Sequence, residues 1–479
     1  MVTAKTFCIR GLAPVHFEEL LLISPSCLHC RQTKPADREL EFAGLLRDLT
    51  QSGASPVYLC GEAERALRRW CRETARASAT TIQRLHDAGH FKHARRARKD
   101  HLAKATVQLD ALFTAARKRW PTGQDMPDHK REMVRRTRVQ SIFEKLPQVE
   151  RLTRPARAQQ FLIDKDNGRG KRPVTSFHWV DRARQIVLRS ALTPFANLHQ
   201  SQFMLARDRS RRGPAAVREV LLTALAEHGA DYQFLHFDVE NFFGSISHNW
   251  LERHLGLDPA VTKHQVHLGS MMIVPTGEMA TVHATHEAIR EGGQWGIPQG
   301  SALSCLIAEQ VMADILRSAA VFEEWPVFVW SDNVGMLVPR HRAGEIANLV
   351  RDAFAAHGAG PFNLRDAICR DVTQEFEFLG VNYRLADGVI PRAFIAREKV
   401  EAWRILMGHR IMLASTNELD EIAAHIRQKG QSWSWWSGWD RVDRSLRSMI
   451  DAARASQSGH NQPAPARSGS RATAGDGVL

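Results

Sequence analysis

Short apolar runs bounded by turn residues alternate with helical segments in the middle of the chain. Residues 161–163 precede a Gly-rich turn at 166–170, which predicts a β-hairpin. Residues 302–319 follow a Gly/Pro/Ser turn and have the length and composition of a helix. Three further apolar runs predict strands: 234–237, 327–330 and 376–383. This part of the chain is therefore predicted to be α+β.

The segments on either side have a helical pattern. Residues 1–155 lack strand alternation, and residues 391–455 combine helical periodicity with four tryptophans, for which we favour core packing over contact with nucleic acid. The last residues are Ser, Gly, Ala, Pro and Arg with little to bury, so we expect disorder there. The predicted segments are a helical basic N-terminal extension at 1–155, an α+β region at 156–390, a helical region at 391–455 and a disordered tail at 456–479.

Charge changes this picture toward a polyanion partner. The net charge is +13, and residues 84–140 contribute +9 of it, with 15 Lys and Arg against 6 Asp and Glu (15 − 6). Most charge runs are solvated helix faces, but this concentration favours a phosphate-binding surface. Nucleic acid is the first partner to expect, and an acidic membrane surface the second.

The seven cysteines do not form a small disulfide framework. Cys27 and Cys30 have the spacing of a zinc knuckle that only the distant Cys60 and Cys71 could complete, so free thiols are the preferred interpretation. The N-terminus lacks a signal-peptide pattern, and no apolar run approaches membrane-spanning length. We therefore expect a reduced cytoplasmic setting and no membrane partner.

Candidate chemistry lies in four ordered segments. They are Phe237–His248, Gly296–Ser304, Val329–Val334 and Phe376–Tyr383. Asp238 ends one predicted strand and Asp332 follows another, and Mg²⁺ prefers such carboxylate oxygens. If these strands are neighbours, the pair predicts a two-metal site.

In this order the four segments resemble motifs A, B, C and E of reverse transcriptases, most closely those of bacteria, which include group II intron, retron and phage-defence enzymes. The ordered set is far more specific than a single aspartate on a strand. The resemblance covers about residues 160–390. It implies a right-hand polymerase, with fingers and palm at 156–390 and a thumb at 391–455. The implied activity is RNA-directed DNA synthesis with Mg²⁺, or alternatively Mn²⁺.

The resemblance assigns roles to individual residues. Asp238 and Asp332 match the metal-binding catalytic carboxylates. Phe243 matches the bulky side chain that clashes with a ribose 2′-hydroxyl and so selects deoxynucleotides. The other implied site residues are Val239 (metal), Asn333 (catalytic), Gln299 and Gly300 (the loop at the templating base pair), and Lys165, Lys171 and Arg172 (the incoming triphosphate).

The third motif departs from the family. It usually reads Tyr-x-Asp-Asp, whereas here Trp330 precedes Ser331, Asp332 and Asn333. Asn keeps a carbonyl ligand but removes a negative charge, which should weaken Mg²⁺ binding without abolishing catalysis. The retron-typical Val-Thr-Gly is missing. The remaining resemblance is to stand-alone abortive-infection or defence-associated reverse transcriptases.

The implied partners are an RNA template or non-coding RNA, the DNA product and dNTPs, with a homo-oligomer or a partner reverse transcriptase as a further expectation. Two alternatives stay open. Template-independent or protein-primed synthesis would need a suitably placed hydroxyl, and the chain has three tyrosines. A catalytically silent nucleic-acid-binding scaffold is motivated by Asn333, and Phe243 disfavours an RNA-dependent RNA polymerase.

Overall fold

The computed structural model describes residues 61–119, 126–164, 170–280, 293–436 and 438–459. Its helices are α1 (Gly61–Asp87), α2 (Phe91–Ala103), α3 (Ala105–Arg119), α4 (Asp128–Val149), α5 (Trp179–Leu192), α6 (Pro214–His228), α7 (His248–His254), α8 (Pro259–Gln265), α9 (Ser304–Ser318), α10 (Val321–Glu324), α11 (Ala343–Ala356), α12 (Arg397–Leu413), α13 (Thr416–Trp433) and α14 (Trp439–Gly459). Its strands are β1 (Arg157–Asp164), β2 (Lys171–Phe177), β3 (Tyr232–Asp238), β4 (Met272–Pro275), β5 (Val327–Trp330), β6 (Asn333–Pro339), β7 (Ile368–Asp371), β8 (Phe376–Phe378), β9 (Val381–Ala386) and β10 (Ile390–Phe394).

The chain divides into two compact units. The first comprises residues 1–206, 237–334 and 344–367, and the second comprises 207–236, 335–343 and 368–479. Both combine helices with strands, so the predicted mixture of α and β structure is confirmed. No helix in the described part of the chain is long and apolar enough to cross a membrane.

A helical core occupies the N-terminal part of the first unit. Leu109, Leu112, Phe113 and Ala116 recur at the i, i+3, i+4, i+7 spacing of one helix face, and all four are buried. This face of α3 joins a cluster built from α1, α4 and α5. Helix α5 also buries Arg184, which forms an ion pair with Asp181 at 2.6 Å.

The predicted β-hairpin is confirmed in the first unit. Strands β1 and β2 pair antiparallel, and Asp164 opposite Lys171 is the last pair before the turn. Strand β4 pairs parallel to β1, which gives the order β2-β1-β4. The turn itself, residues 165–169, lies outside the described residues.

In the second unit, β8, β9 and β10 form an antiparallel sheet next in sequence to a three-helix core. The tryptophans Trp433 and Trp439 are buried among α12, α13 and α14, and Trp435 and Trp436 pack against this cluster. Core packing thus accounts for all four. The predicted helical start at residue 391 is wrong, because residues 390–394 pair with β9 as strand β10 and the helix begins at Arg397.

Candidate active site

The two predicted metal-binding carboxylates lie side by side. Asp238 is the last residue of β3, and Asp332 lies in the short turn between β5 and β6. The main-chain N–H of Val239 donates to the carbonyl oxygen of Asp332 at 3.1 Å. Burial raises the pKa of Asp332, and the negative charge of Asp238 raises it further. The structure therefore brings together two carboxylates that a cation would stabilise.

The turn that carries Asp332 has a tight left-handed geometry. Ser331 has a φ of +57°, which is uncommon for a residue with a side chain. The Asn333 side-chain amide donates to Asp332 Oδ1 at 3.2 Å. This bond and the neighbouring polar side chain of Ser331 favour the charged carboxylate and lower the pKa of Asp332, opposing burial. Asn333 is thus in direct contact with the predicted catalytic carboxylate of Asp332.

Arg365 supplies a cation that the sequence interpretation missed. Its guanidinium lies 3.1 Å from Asp238 Oδ2 and 3.8 Å from Glu240. Its main-chain N–H donates to the Asp238 carbonyl oxygen at 3.0 Å, while Glu240 N–H donates to Asn363 at 2.8 Å. The Arg365 side chain is 56% exposed, so this ion pair is weak and can exchange. No local pattern marks Arg365, because the pairing joins residues more than 120 positions apart.

Phe243 is joined through its main chain to the loop before Gln299. Its carbonyl oxygen accepts a hydrogen bond from Ile297 N–H at 2.8 Å. The neighbouring Gly296 has a φ of +97°, and a Cβ there would lie 3.2 Å from the Gly244 oxygen. Glycine therefore permits the close approach that sets the predicted sugar-selecting residue beside the predicted base-pair loop.

The same loop contacts the β-hairpin. Thr175 N–H on β2 donates to the Gln299 carbonyl oxygen at 2.7 Å. Gly300 has a φ of +107°, and a Cβ there would lie only 2.3 Å from the Thr175 oxygen. Any side chain at residue 300 would push β2 and the loop apart. The structure thus shows Gly300 close to β2, and the expected contact of this loop with a base pair stays a prediction.

The structure describes two of the three residues predicted to bind the triphosphate. Lys171 and Arg172 are exposed at the start of β2. Lys171 forms an ion pair with Glu278, and this hydrogen bond raises the pKa of Lys171. Lys165 lies outside the described residues.

The cysteines considered for zinc are also described only in part. Cys27, Cys30 and Cys60 lie outside the described residues, and Cys71 is buried in the N-terminal helical core. Burial raises the pKa of the Cys71 thiol to about 12, which disfavours the thiolate that zinc requires.

The region that contains Asp238 and Asp332 matches a known protein family. Residues 163–383 match the family described as reverse transcriptase (RNA-dependent DNA polymerase). The chain carries a reverse transcriptase domain. The predicted enzyme class, an RNA-directed DNA polymerase and nucleotidyltransferase, is thereby confirmed, and such a domain implies an RNA template and a DNA product. No curated protein matches the chain.

The residues around Asp238 fit a divalent metal ion, which reverse transcriptase domains generally use. Asp238 and Asp332 offer hard carboxylate oxygens, and the hydrogen bonds that tie residues 238–240 to 363–365 leave out the Val239 carbonyl. Among the described residues, no group of three or more His, Cys, Asp and Glu side chains is arranged to hold a metal. The negative charge of this donor set therefore comes from two carboxylates.

Proposed function

We propose that the reverse transcriptase domain copies RNA into DNA by two-metal nucleotidyl transfer. The observation that supports this most directly is the adjacency of Asp238 and Asp332 within the matched region. These carboxylates, with the Val239 carbonyl and the Asn333 amide oxygen, would hold the metals. When bound, the metals activate the primer 3′-hydroxyl and stabilise the leaving pyrophosphate. Asn333 contributes a neutral ligand, so binding is weaker than at a three-carboxylate site.

The surrounding residues would select and orient the nucleotide. Phe243 would exclude a 2′-hydroxyl, while Gln299 would contact the templating base pair from a loop that Gly300 keeps close to β2. Lys171 would exchange its partner Glu278 for phosphate oxygens of the incoming dNTP. We assign Arg172 and Lys165 to the same triphosphate. These elements fit a right-hand polymerase with fingers and palm before residue 391 and a thumb built from α12, α13 and α14.

Primer extension tests this proposal. Purified protein is given Mg²⁺, dNTPs and a DNA primer on an RNA template, and Asp332→Ala is compared with Asp352→Ala, which removes an exposed carboxylate on α11. We expect loss of about a hundredfold or more in Asp332→Ala and none in Asp352→Ala. Tight RNA binding without any synthesis by the wild type would instead support the silent scaffold.

Tyr383 gives little support to protein-primed synthesis. Tyr383 is 1% exposed, and burial raises the pKa of its phenol, so this hydroxyl is a poor primer in the folded protein. Tyr58 lies outside the described residues. DNA that stays covalently attached to the chain after protein denaturation would favour this alternative.

A basic face on α2 supports an RNA partner outside the matched region. Lys92, Arg95, Arg96 and Lys99 follow the i, i+3, i+4, i+7 spacing, and all four are exposed. None of them forms an ion pair with a described residue. The residues on the opposite face of α2, such as His101, are buried. Four cations on one helix face match the spaced phosphates of a nucleic-acid backbone.

The salt dependence of RNA binding tests this surface. Arg95→Gln/Arg96→Gln is compared with Arg253→Gln/Lys263→Gln, which removes two exposed cations elsewhere. If both α2 arginines contact phosphates, the slope of log K against log salt should fall by about 1 to 2 in the α2 variant only. Equal slopes in both variants would remove α2 from the interface.

We further propose that the protein acts in the bacterial cytoplasm in antiviral defence with a dedicated non-coding RNA. The resemblance of its motifs to stand-alone defence-associated reverse transcriptases supports this, and the basic face of α2 offers a surface to hold such an RNA. Sequencing RNA that co-purifies with the protein should return one dominant species. Cells that express the wild type should show fewer phage plaques than cells that express Asp332→Ala.

A further inference from the structure

Helix α9 contains an acidic side chain where the surrounding pattern is apolar. Glu309 is 1% exposed, on a helix that is buried over most of its length. It forms no ion pair with a described residue. A buried carboxylate without a cation is costly unless hydrogen-bond donors compensate for the lost water.

Gln202 holds Glu309 from one side. Its amide nitrogen donates to Glu309 Oε2 at 2.9 Å and to the Glu309 main-chain oxygen at 2.8 Å. Gln202 is itself fixed, because its amide oxygen accepts the His199 N–H at 2.7 Å. Residues 201–203 pair with β5, where Val329 N–H donates to the Ser201 oxygen at 2.8 Å. The Gln202–Glu309 pair therefore lies directly beside the strand that leads into the Asp332 turn.

Glu309 also acts on that turn. The main-chain N–H of Ser331 lies near enough to the Glu309 carboxylate to favour its charged form and lower its pKa, which opposes the effect of burial. Ser331 is the residue with the left-handed φ, and its polar side chain lowers the pKa of the adjacent Asp332 carboxyl. A continuous set of polar contacts thus connects Gln202, through Glu309 and Ser331, to the catalytic carboxylate.

We propose that Glu309 is a positioning residue that fixes the left-handed Ser331 turn and thereby orients Asp332. The catalytic role of Asp332 rests on the proposed function, whereas the effect of Glu309 on the conformation of the Ser331 turn does not. The role requires a hydrogen-bond acceptor more than a charge. Burial raises the pKa of Glu309 to about 7, so its neutral form is accessible near neutral pH and glutamine should substitute for it. Oε1 has no hydrogen-bond partner among the described residues, so an amide nitrogen in its place would break no hydrogen bond.

Two substitutions separate this role from simple packing. Glu309→Gln keeps an acceptor, whereas Glu309→Met keeps similar volume and removes it. Gln310→Met on the same helix is the matched control. The measurements are hydrogen–deuterium exchange over residues 327–334, and kcat and KM for dNTPs in primer extension.

We expect Glu309→Met to speed exchange at 327–334 by about fivefold or more. It should lower kcat by about tenfold to a hundredfold, with KM within about twofold. Glu309→Gln and Gln310→Met should stay within about threefold of the wild type in both readouts. Unchanged exchange at 327–334 in Glu309→Met would overturn the proposal, whatever happens to kcat.

A second variant keeps the proposal testable if Glu309→Met does not fold. Gln202→Leu leaves the carboxylate but removes its anchor, and it should speed exchange at the same residues. If it does not, the proposal is wrong. If the wild type makes no DNA, the proposed function fails, and the exchange measurement still decides whether Glu309 holds the Ser331 turn.

Discussion

Asn333→Asp is the substitution with the most direct consequence for metal binding. Asn333 now donates a hydrogen bond to Asp332 Oδ1 at 3.2 Å. Aspartate would remove this donor and add a third carboxylate beside Asp238 and Asp332. Without a metal, the added charge should raise the pKa of Asp332 further and lower the stability of the turn. With a divalent ion bound, the same charge should strengthen binding.

The geometry sets the size of the effect. Two unit charges about 4 Å apart interact by about 4 kcal/mol at an effective dielectric constant of about 20. Partial exposure of the turn and repulsion among the carboxylates reduce the net gain. A net gain of about 1.4 to 2.8 kcal/mol remains a reasonable expectation, which corresponds to Mg²⁺ binding that is tighter by about tenfold to a hundredfold.

Isothermal titration with Mg²⁺ and electron paramagnetic resonance with Mn²⁺ measure this affinity without relying on activity. Asn348→Asp, which adds a charge at an exposed position on α11, is the control and should leave the affinity unchanged. Equal metal affinity in Asn333→Asp and the wild type would refute the placement of residue 333 next to the metals.

Three other predictions follow from the described contacts. Gly300→Ala should lower activity at least about tenfold, because its Cβ would lie 2.3 Å from the Thr175 oxygen; Gly344→Ala, where nothing lies within 4 Å, should be neutral. Phe243→Ala should raise ribonucleotide incorporation relative to deoxynucleotides by about tenfold or more, and unchanged selectivity would remove Phe243 as the sugar gate. Burial lowers the pKa of His101 to about 4, against about 6.5 when unfolded. Its contribution to stability is therefore present above pH 6.5 and lost as pH falls toward 4, about 2 kcal/mol by pH 5, so Tm should fall less on acidification in His101→Gln than in the wild type.

The elements around the site were predictable because their patterns are local. The apolar runs at 234–237 and 327–330 correspond to β3 and β5, and residues 302–319 correspond to α9. Each aspartate follows a strand, which is a property of neighbouring residues. The sequence alone could not predict that Asp238 and Asp332 lie close together. Their proximity depends on strand pairing between segments about ninety residues apart.

The features that the sequence did not predict depend on distant partners. Arg365 pairs with Asp238 across the chain, and nothing near Arg365 marks it as special. Strand β10 was assigned to a helical region because its five residues show no clear alternation, and pairing with β9 decides their conformation. The sequence contains one indication of Glu309. It is an acidic residue within the apolar face of a predicted helix, and this pattern indicates a buried polar group.

Sequencing the DNA made on a defined RNA template tests the central claim most directly. The wild type is given a heteropolymeric RNA, a DNA primer, Mg²⁺ and all four dNTPs, and the product is sequenced alongside the reaction of Asp332→Ala. We predict DNA complementary to the RNA from the wild type and no extension from Asp332→Ala. DNA unrelated to the template, or equal synthesis by both proteins, would contradict templated catalysis by Asp238 and Asp332.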